Sequence, residues 1–173
     1  MTYEEQIKYI MDSIDKKLSV DDPTTLAKYA RKVPENGTIL DIGTCAGGSA
    51  FIMAVNSRPS VKVYTIDPTP NPLFYIHRTK LGLDEKVTIF TKKSQEMVWS
   101  LPLDLAFDDG LHNHLGVSED IRIFYPHVKK GGFCMFHDFK LYNNTVGKAI
   151  LDHEDKVYKR LEVIENIYIG TKI

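Results

Sequence analysis

At 173 residues, 43% of them hydrophobic, the chain can bury one good core and is too short for two ordinary domains, so a single domain over 1–173 is expected. Lys and Arg total 22 against 23 acids, a net charge of −1, so no excess of positive charge advertises binding to nucleic acid or to an anionic membrane. Two cysteines, Cys45 and Cys134, do not make a disulfide-stapled scaffold, and no apolar stretch approaches bilayer length. A soluble, unexported, cytoplasmic protein is expected.

Residues 1–33 read as two N-terminal helices. Tyr3, Ile7, Ile10, Met11, Ile14 and Leu18 recur at helical spacing, and Thr2 with Glu5 can close a capping box. Such a stripe fits core packing, a cover over a pocket, or pairing with a second copy in a homo-oligomer. Asp22 followed by Pro23 reads as an N-cap and first helical residue, opening a second helix to about Val33. Pro34-Glu35-Asn36-Gly37 stops it.

From 37 onward, short β-branched runs alternate with helical ones, the pattern of a parallel sheet covered by helices. Strands are expected over 38–42, 61–66, 87–91, 103–107 and 133–136. Helices are expected over 49–56, 72–81 and 115–125, with a short turn near 94–99. Lys129-Lys130-Gly131-Gly132 marks the passage from helix to fifth strand. After a helix over 143–153, the segments 157–163 and 164–173 read as strands with no helix between them, an antiparallel pair at one end of the sheet.

The first strand runs into Gly43-Thr44-Cys45-Ala46-Gly47-Gly48, and a helix begins at Ser49. In an open α/β sheet, ligands sit outside the carboxyl ends of the strands, where glycines let backbone amides approach closely. Glycines at 43, 47 and 48 do not make the dinucleotide pattern G-x-G-x-x-G, because Cys45 stands where its second glycine belongs. The second strand ends at Asp67, 20 residues after Gly47, where an acid can accept hydrogen bonds from both ribose hydroxyls.

Asp41, Gly43, Gly47 and Ser49 form an Asp-x-Gly-x-x-x-Gly-x-Ser motif that resembles the cofactor motif of class I S-adenosylmethionine-dependent methyltransferases. The likeness is strongest to small-molecule O-methyltransferases of the catechol and caffeoyl type. It extends from about Asp22 to the C-terminus. It implies a three-layer Rossmann-like α/β fold, a mostly parallel seven-stranded sheet closed by an antiparallel C-terminal hairpin. It also implies that Asp41 and the loop from Gly43 through Cys45, Gly47, Gly48 and Ser49 serve the methionine part of the cofactor. Asp67 would serve the ribose, Ser94 and Gln95 the adenine, and Asp108 stands with these cofactor residues. On its own spacing, Ser94 reads equally as the cap of a short helix.

The fourth strand runs into Asp108-Asp109-Gly110-Leu111-His112-Asn113-His114, and the fifth ends in Phe136-His137-Asp138. If the two strands are neighbours, as the family topology implies, their ends lie about 4.8 Å apart and their side chains can converge on one ion. Carboxylates with an imidazole suit a hard or borderline divalent cation, Mg²⁺ or Mn²⁺. The segment is similar to that of metal-dependent sugar and natural-product O-methyltransferases. The likeness implies Asp109 and Asp138 as metal ligands, Asp109 also counting with the catalytic residues, and His112 as general base. His137 departs from the acidic pair of those relatives, can itself ligate, and leaves a metal-free acid/base site as the alternative.

The remaining polar residues read as surface or caps: Asp152 to Asp155 as a solvated helix end, and His77 and His127 as surface or capping histidines. His114 fits either the pocket wall or an outward first turn. Phe74, Tyr75, Tyr142, Asn143 and Asn144 are expected near a pocket for a small hydroxylated acceptor. Rival functions are a nicotinamide-dependent oxidoreductase and a non-catalytic S-adenosylmethionine-binding module.

Overall fold

The computed structural model describes residues 1–14 and 22–173. The N-terminal helix α1 (Tyr3–Ser13) opens with the expected capping box, Thr2 accepting from the Glu5 N–H while Glu5 accepts from the Thr2 N–H. Leu18, the end of its apolar stripe, lies outside the described residues. Ile10 alone of the helix is fully buried, and Tyr3 and Met11 stay about two-fifths exposed, at 43% and 40%. Helix α2 (Asp22–Ala30) starts with Asp22 inside its first turn and ends three residues before Val33, in a tight turn closed by the Val33 N–H on the Ala30 carbonyl.

The sheet then builds in chain order from β1 (Thr38–Ile42), β2 (Lys62–Ile66), β3 (Val87–Phe90), β4 (Leu103–Asp108) and β5 (Val128–Phe136). Two final strands, β6 (Tyr158–Ile164) and β7 (Ile167–Lys172), form the hairpin. Their order across the sheet is β3-β2-β1-β4-β5-β7-β6. The first five strands run parallel, β7 runs antiparallel to β5, and β6 runs antiparallel to β7. This is the α/β sheet with a reversed last hairpin that the sequence leads one to expect.

Both faces are covered, because alternate side chains of a strand point to opposite sides. Ile39, Leu105 and Met135 join one cluster beneath α2, α3 (Gly48–Asn56) and α4 (Leu73–Lys80). Their neighbours Leu40, Ala106 and Phe136 join the other, beneath α5 (His114–Phe124) and α6 (Lys148–His153). Among the described residues no helix is long and apolar enough to cross a membrane.

Three expectations are corrected. Strand β5 begins at Val128, not 133, because Val128 pairs with Leu103 and Phe133 with Leu105, leaving 129–132 looped out inside the strand. Lys129 fastens that loop by donating to both oxygens of Asp104 at 2.8 and 2.9 Å. The expected helix over 143–153 opens as a widened turn over Asn143–Gly147, since the Tyr142 carbonyl accepts from Gly147 five residues on, and becomes α-helical only at Lys148. His77 is neither a surface nor a capping residue: it is 6% exposed, and its Nδ1 lies 2.7 Å from the Tyr9 hydroxyl of α1, which covers it.

Candidate active site

A cavity of about 650 Å³ opens at the carboxyl ends of β1, β2 and β4, within the range usual for small-molecule sites. Its floor is the glycine loop. Gly43 has φ 97°, and a Cβ there would lie 2.2 Å from the Asp109 carbonyl, so only glycine lets the β1 and β4 loops meet. Gly47 has φ 99°, with the Phe51 ring 2.3 Å from where a Cβ would stand.

Cys45, in the place of the missing glycine, also takes a left-handed backbone, φ 45°. The Asp67 carboxylate holds it there by accepting its N–H at 2.9 Å, while the other Asp67 oxygen accepts from Thr69 at 2.8 Å.

Asp41 does not line the cavity. It is fully buried under the loop, its two oxygens accepting from Ser49 at 2.7 Å and Thr65 at 2.6 Å, and burial pushes its carboxyl up to about 7. Gly47 and Gly48 shape the turn from behind, and Asp108 is packed under Gly110 beside the buried Asp120. Burial and then the Asp120 charge hold Asp108 well above the carboxylate range. The cavity wall is made instead by Gly43, Cys45, Ser49, Asp67, Ser94 and Gln95. Pro68 and Lys93 also face it and carry no motif. Gln95 donates to the Ser94 hydroxyl at 2.8 Å and to Asp120 at 3.2 Å, so the short turn Ser94–Glu96 is anchored to α5.

The second half of the site is a cluster of side chains at the ends of β4 and β5, which pair directly through Asp108 and Phe136. The His137 Nδ1 lies 3.2 Å from an oxygen of Asp109 and 3.2 Å from one of Asp138, yet lines up a hydrogen bond with neither. His112 stands at the mouth, its Nε2 3.0 Å from Asp138 and 3.6 Å from Asp109. Tyr142 stacks on its ring at 5.0 Å and 12°.

Charge is concentrated here. Burial alone would lower His137, but the carboxylates of Asp109, Asp138 and Asp22 outweigh it and push the imidazole up to about 12. The Asp109 carboxylate, joined by Asp138, holds His112 above the ordinary histidine value against its partial burial. Asp109 would rise through burial, yet the two histidines bring it below the ordinary carboxylate value.

Two supports in this cluster carry no sequence motif. Asp138 adopts a left-handed backbone, φ 59°, an unfavourable state for a non-glycine residue. Asn166, in the β6–β7 turn, holds it: the side chain donates to Asp138 at 2.8 Å and accepts from the Lys140 and Leu141 N–H groups at 3.0 Å. Asp22, the first residue of α2, lies 3.0 Å from His137 Nε2.

The other polar residues stand apart. His114 turns outward to Asp152 at 2.8 Å, and Asp152 is held to about 2 by Lys148 and then His114. Phe74 is fully buried against Phe51, not beside the pocket as the sequence suggests, because α4 turns it into the core.

A glycine loop feeding a nucleoside-sized cavity on this sheet order defines a class I S-adenosylmethionine-dependent methyltransferase. Residues 40–139 match the methyltransferase domain family, and the chain belongs to it. An uncharacterized protein of Acanthamoeba polyphaga mimivirus is 27% identical over a match taking in 73% of this chain and 66% of that protein. The chain thus spans just under two thirds of that relative's length.

Among solved structures, the S-adenosylmethionine-dependent O-methyltransferase of Thermotoga maritima superposes with a TM-score of 0.74, at 19% identity, covering 97% of this chain and 71% of that one. A methyltransferase of the mycinamycin biosynthetic pathway, solved with Mg, S-adenosylhomocysteine and mycinamycin VI, superposes with a TM-score of 0.71, at 16% identity. It covers 98% of this chain and 54% of that one. With the family shown, the dehydrogenase alternative falls away, as the loop spacing already argued.

Proposed function

We propose that this methyltransferase methylates a hydroxyl oxygen of a small molecule, with His112 as the general base and a divalent cation held by Asp109, His137 and Asp138. The observation that carries the reading is the placement of His112: at the mouth of the cavity, 45% exposed, with its Nε2 between two carboxylates at 3.0 and 3.6 Å.

S-adenosylmethionine supplies an electrophilic methyl carbon when bound, so the protein has to align the acceptor and remove its proton. Asp67, Ser94 and Gln95 line the end of the cavity where a nucleoside would sit, and Gly43 and Ser49 line the loop end. Leu111 and Tyr142 flank His112 with an apolar rim, 51% and 40% exposed, which suits the carbon skeleton of a phenol, a sugar face or a natural product. The His112 imidazole, steadied by Tyr142, takes the acceptor's proton in its neutral form.

The donor set fits a cation. Ligands about 2.2 Å from a common ion and at right angles stand about 3.1 Å apart. The two spacings from His137 Nδ1 are 3.2 Å, and the donor atoms of all three residues lie within 4.8 Å of one another. A divalent cation supplies, when bound, the positive charge that favours ionisation of an acceptor hydroxyl. The imidazole favours Mn²⁺ over Mg²⁺.

Radiolabelled methyl transfer to a panel of phenols, catechols and sugars tests the proposal. Activity lost in chelator and restored by Mn²⁺ or Mg²⁺ is expected. Full activity in chelator would remove the cation from the mechanism. S-adenosylhomocysteine binding without transfer to any acceptor would mark a non-catalytic cofactor module.

A further inference from the structure

We infer that Asp22 is a positioning residue that makes His137 a cation ligand through Nδ1 and so ties the N-terminal helices to the active site. The inference rests on the proposed cation site and adds a residue that no motif marks.

An imidazole has two nitrogens, and the hydrogen bond made by one decides what the other can do. In this protein Nε2 is committed to the Asp22 carboxylate at 3.0 Å. The pair is well shielded from water, Asp22 being 1% exposed and the His137 side chain 12%. A carboxylate only accepts, so the proton between them sits on Nε2. Nδ1 is then the nitrogen facing Asp109 and Asp138, at 3.2 Å from each and hydrogen-bonded to neither.

The ring has little freedom to do otherwise. Phe107 meets it edge to face at 6.3 Å, so turning Nδ1 away means breaking both the Asp22 contact and that packing. Asp22 itself is fixed by position, as the opening residue of α2, where a negative charge is favoured by the helix. Asp22 and His137 are 115 residues apart in the chain, which is why spacing gives no hint of the pair. A carboxylate behind a ligating histidine fixes ring orientation and raises basicity, and its loss costs about 10–100-fold in metal affinity.

Pulsed EPR of the full chain loaded with Mn²⁺ tests this, using histidine labelled with ¹⁵N at δ1 only or at ε2 only. Direct coupling from the δ1 label, abolished by His137→Ala, is expected; direct coupling from the ε2 label that His137→Ala abolishes would overturn the inference. Asp22→Ala should weaken Mn²⁺ binding about 10–100-fold and diminish the coupling. Asp22→Asn keeps an acceptor for Nε2–H and should recover most of both.

S-adenosylhomocysteine affinity checks that each variant is folded and should be unchanged. Wild-type Mn²⁺ affinity and coupling in Asp22→Ala would overturn the role of Asp22 and leave the cation site standing. A wild-type chain that binds no Mn²⁺, or binds it without nitrogen coupling, would remove the cation reading and this inference with it.

Discussion

The cradle at the ends of β1 and β2 and the cluster at the ends of β4 and β5 share one rim of one sheet, and they use their carboxylates in opposite ways. In the cradle, Asp41 gives both oxygens to Ser49 and Thr65, and Asp67 engages the backbone of Cys45 and Thr69. These carboxylates shape a loop whose own backbone then faces the ligand. In the cluster, Asp109 and Asp138 face two imidazoles across gaps of 3.0 to 3.6 Å, and His137 Nδ1 makes no hydrogen bond. Carboxylates satisfied by the protein build shape, and carboxylates left facing a common point build chemistry.

The sharpest break between the two regions is His112→Ala. Turnover should fall about 10²–10⁴-fold, while S-adenosylhomocysteine affinity measured by calorimetry stays at the wild-type value. An equal loss of cofactor binding would show that the regions are not separable.

Asp67→Ala is the mirror experiment. Losing an acceptor for charge-assisted hydrogen bonds is worth about 1.5–3 kcal/mol, so cofactor affinity should weaken about 10–100-fold, with Mn²⁺ affinity unmoved. Asn166→Ala removes three hydrogen bonds around Asp138 and should lower Tm by several degrees. It should weaken Mn²⁺ binding and spare the cofactor; a variant weakened toward the cofactor and not toward Mn²⁺ would reverse the assignment.

The last break is a pH slope. Burial raises Asp41 to about 7, so between about pH 4 and pH 7 the folded chain keeps a proton that the unfolded chain has lost. Stability therefore falls as pH rises through that window. Asp41→Asn cannot ionise, and urea midpoints across the window should decline less for the variant than for wild type.

Much of this was legible in the residues themselves. The β-branched runs separated by helical ones mark the sheet, and the tail without a helix marks the reversed hairpin. The glycine spacing separates this loop from a dinucleotide loop. The Asp-Gly-x-His run and the His137-Asp138 ending point to one place, because sheet pairing brings the two strand ends together.

What escaped depends on contacts that spacing does not encode. Lys129 to Gly132 read as a turn because nothing local says that Leu103 pairs with Val128 and lets four residues bulge. Asp41 carries the motif yet sits below the cavity, since a motif fixes identity and not which way a side chain faces. Asp22 and Asn166 reach the site from 115 and 28 residues away, and the one local signature between them, Asp22 before Pro23, marks only a helix start. His77 looked like a surface residue because its cover, Tyr9, lies 68 residues earlier.

Asn166 has a further consequence, for the order in which the protein is made. Ribosomes deliver the chain from its first residue, so β1, the glycine loop and Asp67 emerge long before the hairpin turn that secures Asp138. The acid that Asn166 secures is therefore held in place only once β6 and β7 come together.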